Sequence, residues 1–323
     1  LTLRSEGLIR ENLAEEPAAW EGQSVADLCR PAYLVGLIGD GVLPSLSPPM
    51  HEREAEFHGI RLVYRPIDLP SLGLGAADLK SLLHYAQLLG YNGLNITHPY
   101  KQTVLGLLDE VSDDARILRS VNTVVLDGDG RMTGHNTDHL GFQRGLAEGL
   151  GDAPREHVVQ VGVGGAGAAV ALALVRSGVE RLTISDLFPE RAHLLAVTLN
   201  ATADRDVVRV ADGGQLRQAI RSADGVVNAT PIGMAAHPGT SFDVGLLNSG
   251  QWVSDVVYRP LRTELLRRAD SIGCRTLDGG RMCVHQGAEA FRLFTGLEPD
   301  PQRMRRIFLS LIDAEQRSSE HEK

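Results

Sequence analysis

One short run concentrates groups that can do chemistry: Asn95-Ile96-Thr97-His98-Pro99-Tyr100-Lys101. Amide and hydroxyl side chains can hydrogen-bond a polyol, and a lysine amine can move a proton. The same run also reads as a strand end followed by a surface lysine. Asp138, in Asn136-Thr137-Asp138, puts a carboxylate where it suits the dipole of the helix that follows and can cap it. Ser45 and Ser47, in Leu43-Pro44-Ser45-Leu46-Ser47-Pro48, can hold an anion such as a carboxylate beside a helix N-terminus. Ser47 before Pro48 reads equally as an N-cap with proline at the first helical position. His135, Asp138 and His139 lack the His-Glu-x-x-His spacing or anything comparable, so no metal is expected.

These groups need elements to position them. Residues 33–39 read as an apolar strand and 61–65 as a second, with a helix over 78–89. Leu94 and Ile96 alternate with Asn95 and Thr97 in a third strand, which puts the polar pair on one face. Pro99 is expected near a helix start, with Lys101 opening an amphipathic stretch over 103–110. Residues 121–126 read as another strand, Asp127-Gly128-Asp129-Gly130 as a hairpin turn, and 138 to about 149 as a helix. Strand alternating with helix predicts a small α/β domain with a mostly parallel sheet.

Further on, the strand His157-Val158-Val159-Gln160-Val161 runs into Gly162-Val163-Gly164-Gly165-Ala166-Gly167 and then an alanine-rich helix over 168–177. This is G-x-G-x-x-G in the setting it requires. Gly162 permits the tight turn, Gly164 lets amides approach a pyrophosphate, and Gly167 lets helix and strand pack closely. The next strand, 181–185, ends at Asp186, about 20 residues past the loop, where an acid binds the adenosine ribose. A carboxylate there repels a 2′-phosphate, and Leu187-Phe188-Pro189-Glu190-Arg191 places no base directly beside it, so NAD is expected over NADP. Arg191 can stack on adenine or lie on the surface. Further strands are expected over 206–210, 225–229 and 252–257. The loops at their carboxyl ends, including Asn228, Thr230, Pro231, Met234, Val256 and Tyr258, and then Gly279, should face the ligand. A last helix from about 282 to 294 carries Gln286, which faces the cleft if the helix folds back on the first domain.

The chain has 323 residues, comfortable for two domains. A net charge of −9 argues against nucleic acid or an anionic membrane as partner. Three cysteines, Cys29, Cys274 and Cys283, are odd in number and lack metal spacing, which fits a reducing cytoplasm. No apolar run approaches the ~20 residues of a membrane helix, and no signal-peptide pattern opens the sequence. Residues 1–31, starting from Leu1, are expected to form a loosely held arm.

Taken together, the Ser45-Leu46-Ser47-Pro48 loop, the 95–101 run, Val121-Asn122-Thr123, Asn136-Thr137-Asp138, the glycine loop, Asn228-Ala229-Thr230-Pro231 and Gln286 resemble the shikimate/quinate dehydrogenase family, in its order, over about residues 33–313. His-Pro-Tyr-Lys, the acid at the ribose position and Thr-Leu-Asp-Gly at 276–279 resemble its NAD-preferring quinate/shikimate branch. The NADP-dependent biosynthetic branch usually has an Asn-Arg-Thr-like stretch where this chain has Ser185-Asp186-Leu187. The resemblance implies reversible oxidation of the 3-hydroxyl of shikimate or quinate, in aromatic amino acid biosynthesis or quinate metabolism. It implies that Ser45 and Ser47 hold the substrate carboxylate. Asn95, Thr97, Asn122, Asp138 and Gln286 would hold ring hydroxyls, with Tyr258 beside them, and Lys101 would be the acid/base. The cofactor residues implied are Gly162, Gly164, Gly165, Ala166, Gly167, Asp186, Arg191, Asn228, Thr230, Pro231, Met234, Val256 and Gly279.

The expected architecture is therefore α/β and two-domain. A substrate domain would span 32–138 plus 282–323, and a Rossmann NAD-binding domain 139–281. Rival readings are a dinucleotide-binding sensor without chemistry, or a dehydrogenase of an amino- or otherwise altered cyclohexene acid. Whether the chain forms a homodimer, and whether quinate or shikimate is preferred, the sequence leaves open.

Overall fold

The computed structural model describes residues 30–321. Most of the expected N-terminal arm, residues 1–29, lies outside the described residues. β1 (Ala32–Gly39), with Val35, Leu37 and Ile38 buried, is an inner strand of the first sheet. Around it lie β2 (Arg61–Asp68), β3 (Gly93–Ile96), β4 (Glu110–Val111), β5 (Thr123–Leu126) and β6 (Met132–His135), in the order β2-β1-β3-β5-β6-β4. The β1–β2, β1–β3 and β4–β6 pairs are parallel, and the hairpin over Asp127-Gly128-Asp129-Gly130 makes β5–β6 antiparallel, as is β3–β5. Helices α1 (Ser47–Phe57), α2 (Leu79–Leu88) and α3 (Asp113–Leu118) complete this half.

The second sheet holds β7 (His157–Val161), β8 (Arg181–Ser185), β9 (Val208–Val210), β10 (Gly225–Asn228), β11 (Trp252–Asp255) and β12 (Arg275–Leu277). Its order, β12-β11-β10-β7-β8-β9, is parallel throughout. This is the doubly wound dinucleotide fold, and its strand order reverses between β7 and β10, where ligands bind. Its helices are α4 (Asp138–Leu150), α5 (Gly165–Arg176), α6 (Pro189–Ala203), α7 (Gly213–Ser222) and α8 (Glu264–Ile272). The chain then returns through α9 (Gly279–Thr295) and α10 (Pro301–His321). Ala290, Phe291 and Phe294 of α9 pack with Val35, Leu37 and Tyr64 of the first sheet. Met304, Ile307 and Phe308 of α10 pack with Leu46 and Met50. Leu118 of α3 packs the other way, into the core beneath β7 and β8.

Several local expectations need correction. Pro99 does not start a helix: residues 98–102 are turns and Thr103–Leu107 is a short 3-10 helix. The stretch expected to be amphipathic through Glu110 ends early, because Glu110 and Val111 pair with β6. Ser47 is not the N-cap of α1; Leu46 is, without a side-chain bond, while the Ser45 hydroxyl accepts the Ser47 amide at 3.3 Å. The strand expected from 121 begins at Thr123, since the Val121 amide is taken by the Lys101 carbonyl. The strand expected from 206 begins at Val208, since Asn200 Oδ1 holds the amides of Val207 and Val208. Helices expected from 168 and 282 begin three residues earlier, at Gly165 and Gly279.

Candidate functional site

The side chain of Lys101 reaches from the turn after β3 to the first residue of α4, where its Nζ lies 2.6 Å from Asp138 Oδ2. Both side chains are largely shielded, 19% and 9% exposed, so the charges meet in reduced screening. Asp138 does not cap the helix. Thr137 is the N-cap residue, and Asn136 Oδ1 accepts the Asp138 amide at 3.1 Å. The carboxylate is thus left for Lys101 and for Asn122, whose Nδ2 donates to Asp138 Oδ1 at 2.8 Å.

Asn122 is fully engaged within the protein. Its second amide hydrogen goes to Thr137 Oγ1 at 2.9 Å, and its Oδ1 accepts from the Thr137 amide at 2.8 Å and the Thr123 hydroxyl at 3.0 Å. Asn95, 8% exposed, spends both amide hydrogens on the Asn122 carbonyl and on Thr123 Oγ1, and accepts from the Tyr64 hydroxyl at 2.5 Å. Toward a ligand hydroxyl Asn95 keeps only acceptor capacity, and Asn122 acts as the support beneath Asp138. All four residues of β3 are buried, Asn95 among them, and Thr97 lies just past the strand, half-buried, with its methyl against Gly39.

Gln286 comes back on α9 to accept from Thr137 Oγ1 at 3.4 Å, its Nε2 donating to the Cys283 carbonyl. Cys283 lies near the pair; burial and the Asp138 charge push its thiol up to about 12, which makes it inert. Tyr258 packs its ring on Phe308, 6.0 Å away. Ser45 and Ser47 sit half-buried at the start of α1. His139 turns away from Asp138: its Nε2 faces Asp114 Oδ2 at 3.0 Å and Arg176 Nη1 at 3.1 Å. Burial lowers its pKa, against the pull of Asp114. Among the described residues no cluster of three or more His, Cys, Asp or Glu is suited to a metal.

Across the gap stands the glycine loop. Gly162 has φ +96°, and a Cβ there would lie 2.7 Å from the Ala229 carbonyl. A Cβ on Gly167 would lie 2.4 Å from the Gly162 carbonyl, so helix and strand meet closely. Gly164 caps α5 with no side-chain bond to the first amides, and open space surrounds its Cβ position. For Gly165 the nearest atom to that position is Lys101 Cδ, at 4.0 Å. The loop and the lysine therefore face the same opening. Ala166 is half-buried in the first turn of α5. Asp186 ends β8, with Oδ2 accepting the Val163 amide at 2.7 Å. Arg191 lies over the Phe188 ring at 4.3 Å, with its side chain at the surface. Asn228 and Thr230 shape the next loop: Asn228 Nδ2 donates to the Ile232 carbonyl and to Asp255, and its Oδ1 accepts from the Thr230 hydroxyl at 2.7 Å. Pro231 and Met234 are exposed beyond it. A side chain at Gly279 would lie 2.3 Å from the Val256 carbonyl, so α9 starts hard against that loop.

Free helix-N-terminal amides, glycines that leave the approach clear and a carboxylate at the end of β8 fit a dinucleotide. With a lysine–carboxylate pair opposite, the molecule is of the dinucleotide-dependent oxidoreductase class. The description "Shikimate dehydrogenase substrate binding domain" matches residues 37–124, and "Shikimate 5'-dehydrogenase C-terminal domain" matches 281–307. The chain belongs to the shikimate dehydrogenase family. It is 56% identical to a quinate/shikimate dehydrogenase (NAD(+)) of Corynebacterium glutamicum (strain R), over 87% of this chain and 99% of that one. It is 54% identical to a shikimate dehydrogenase (NADP(+)) of Pseudarthrobacter chlorophenolicus, over 88% of this chain and 97% of the relative. The solved quinate dehydrogenase from Corynebacterium glutamicum in complex with NAD superposes with a TM-score of 0.83 at 56% identity, covering 87% of this chain and 100% of that one.

Tyr64 is a site residue absent from the motifs read in the sequence, and Thr123 and Thr137 stand in those motifs without a role of their own. A signal existed for Tyr64: it is an inward position of β2, and a buried tyrosine hydroxyl needs a partner.

Proposed function

We propose that the protein is an NAD-dependent quinate/shikimate dehydrogenase, reversibly oxidising the ring 3-hydroxyl to give 3-dehydroquinate or 3-dehydroshikimate. The observation that carries the reading is the Lys101–Asp138 contact of 2.6 Å beside a glycine loop that opens toward the same lysine. Lys101, as free amine, takes the hydroxyl proton; in reduction its ammonium returns it. Asp138 orients Lys101 and accepts from a ring hydroxyl, with Asn95, Thr97 and Gln286 around it and Tyr258 at the edge. Ser45 and Ser47 hold the substrate carboxylate. The glycine loop, Asp186 and the 228–234, 256 and 279 segments would hold NAD, whose chemistry when bound is to accept hydride from the carbinol carbon.

NAD is favoured by Asp186 with no basic residue directly beside it, and by the coenzyme in the names of the Corynebacterium relatives. The domain division follows the same reading: 32–138 with 282–323 for substrate, 139–281 for NAD. The largely separate cores of the two sheets support it. No described helix is long and apolar enough to cross a membrane, and Cys274 and Cys283 are free thiols. A cytoplasmic location is part of the proposal. Sedimentation analysis decides between monomer and homodimer.

The test is NADH formation with quinate, shikimate and amino-substituted analogues, with NAD and NADP in parallel. Turnover of quinate or shikimate with NAD is expected. Preference for an amino analogue would move the substrate class, and no turnover with any cyclic hydroxy acid would leave a dinucleotide sensor.

A further inference from the structure

A file of hydrogen bonds runs from a buried tyrosine to the reacting pair, with side branches from Asn95 to the Asn122 carbonyl and from Asn122 to Thr137. The Tyr64 hydroxyl bonds Asn95 Oδ1 at 2.5 Å, Asn95 Nδ2 bonds Thr123 Oγ1 at 3.0 Å, Thr123 Oγ1 bonds Asn122 Oδ1 at 3.0 Å, and Asn122 Nδ2 bonds Asp138 Oδ1 at 2.8 Å. Asp138 Oδ2 takes Lys101 at 2.6 Å. Tyr64, Asn95, Thr123, Asn122 and Asp138 are all buried.

The direction of the file is forced. An ionised carboxylate only accepts, so Asn122 must present its NH₂ to Asp138 and its carbonyl oxygen to Thr123. Thr123 then has to donate to Asn122 and accept from Asn95. Asn95 must turn its oxygen to Tyr64, which has to donate. Burial holds the Tyr64 phenol proton on far above the usual tyrosine range, so the donor is always present. His51 fixes the ring: it stands edge-on to Tyr64 at 5.0 Å, anchored by Nδ1 to the Ser47 carbonyl at 2.8 Å. Burial lowers His51 to about 4, so it is neutral at working pH. Hydrogen bonds aligned in one sense polarise one another, and the far end of this file is Asp138.

We propose that Tyr64 is a positioning residue for the reaction: through Asn95, Thr123 and Asn122 it sets the orientation and hydrogen-bond strength that Asp138 offers to Lys101 and substrate. The kinetic part rests on the dehydrogenase reading. The structural part does not.

The test is a double-mutant cycle with a spectroscopic arm. Tyr64→Phe removes the first donor, and Thr123→Val cuts the file in the middle while keeping side-chain shape. Each is expected to lower kcat about tenfold, with the KM for NAD within about twofold of the parent. The double variant should be no slower than Thr123→Val alone, because the two act in one series. Thr123→Ser, which keeps the hydroxyl, should restore kcat to within about threefold of the parent and guards against a variant that merely misfolds. In coenzyme-free protein, the Asn122 side-chain amide signal in a ¹⁵N–¹H spectrum should move with Tyr64→Phe and move less when that change is made on the Thr123→Val background, where only the Asn95 bond to the Asn122 carbonyl still links the two. Additive kcat losses, or an Asn122 signal indifferent to Tyr64, overturn the proposal. A parent that turns over neither quinate nor shikimate overturns the dehydrogenase reading instead, and the amide signal then decides the relay by itself.

Discussion

Asp186 and Val163 are joined across 23 residues of chain: one oxygen of the carboxylate accepts the amide of the glycine loop at 2.7 Å. The other accepts the Phe188 amide at 2.9 Å. The acid is therefore clamped by backbone on both sides, with remaining lone pairs for a diol. In the proposed NAD site its charge would also face an added 2′-phosphate, and like charges in such contact cost several kcal/mol. Asp186→Ser is expected to lower kcat/KM for NAD about tenfold or more, about 1.4 kcal/mol, and to raise kcat/KM for NADP. Steady-state kinetics with both coenzymes measure the ratio; an unchanged ratio removes Asp186 from coenzyme choice.

Lys101 is the proposed proton carrier. Lys101→Ala should lower kcat by about 10²–10⁴-fold, the usual range for general acid–base catalysis. The carboxylate left behind is 9% exposed and loses its charged partner, so some stability is lost as well. NAD affinity, measured by fluorescence titration, should stay within about twofold of the parent, since the backbone of the glycine loop does not depend on the lysine side chain. Retention of parental kcat would take the lysine out of the mechanism.

What could be read in the residues beforehand follows a physical division. The glycine loop is legible because Gly162, Gly164 and Gly167 each meet a backbone requirement that local sequence states directly. Lys101 and Asp138 are legible as chemistry, and the fold brings them to 2.6 Å. Features set by strand neighbours are not legible. Tyr64 reaches Asn95 only because β2 and β3 flank β1. The two-residue β4 hides in a stretch with helical spacing and exists because β6 offers it an edge. Leu118 of α3 belongs by sequence to the first half and packs in the core of the second sheet. Ser47 before Pro48 satisfies every local rule for an N-cap, yet the helix starts one residue earlier than those rules place it.

Glu54 ties α1 to the start of α10. Its side chain is fully buried and accepts from Arg303 Nε at 2.8 Å, Arg303 Nη2 at 2.6 Å and the Asp300 amide at 2.9 Å. Burial pushes the Glu54 carboxyl up, but the Arg303 hydrogen bonds, the Asp300 amide and the Arg303 charge together outweigh it and hold the group below its ordinary 4.5. A carboxyl depressed in the folded state adds stability above its unfolded value, and that stability is lost as pH falls through the folded one. Arg303→Met leaves the buried charge with only the Asp300 amide and His58 Nε2, 3.2 Å away, and should cost about 3–5 kcal/mol at pH 7. In urea unfolding the gap between parent and variant should begin to narrow above about pH 4.5, where burial makes the variant neutralise its stranded carboxylate, and narrow further below it as the parent loses the pair. A gap that holds constant down to pH 3 would assign the loss to packing.

Gly141 sits where α4 and α9 cross. A Cβ there would lie 2.7 Å from the Met282 carbonyl and 2.8 Å from both the backbone nitrogen and the Cβ of Gln286. Two of these three neighbours are backbone atoms, so no side-chain rotation relieves the clash and the helices must part. α4 carries Asp138 at its first residue and α9 carries Gln286, so parting them shifts the pair against each other. Gly141→Ala is expected to lose about 1–3 kcal/mol of stability through overpacking, despite the higher helix propensity of alanine. It should also raise the KM for substrate more than the KM for NAD, since of the proposed cofactor residues only Gly279, at the start of α9, lies on a crossing helix. Urea melts and separate KM measurements for the two ligands check both parts. A variant at least as stable as the parent would show that the crossing has room the geometry denies.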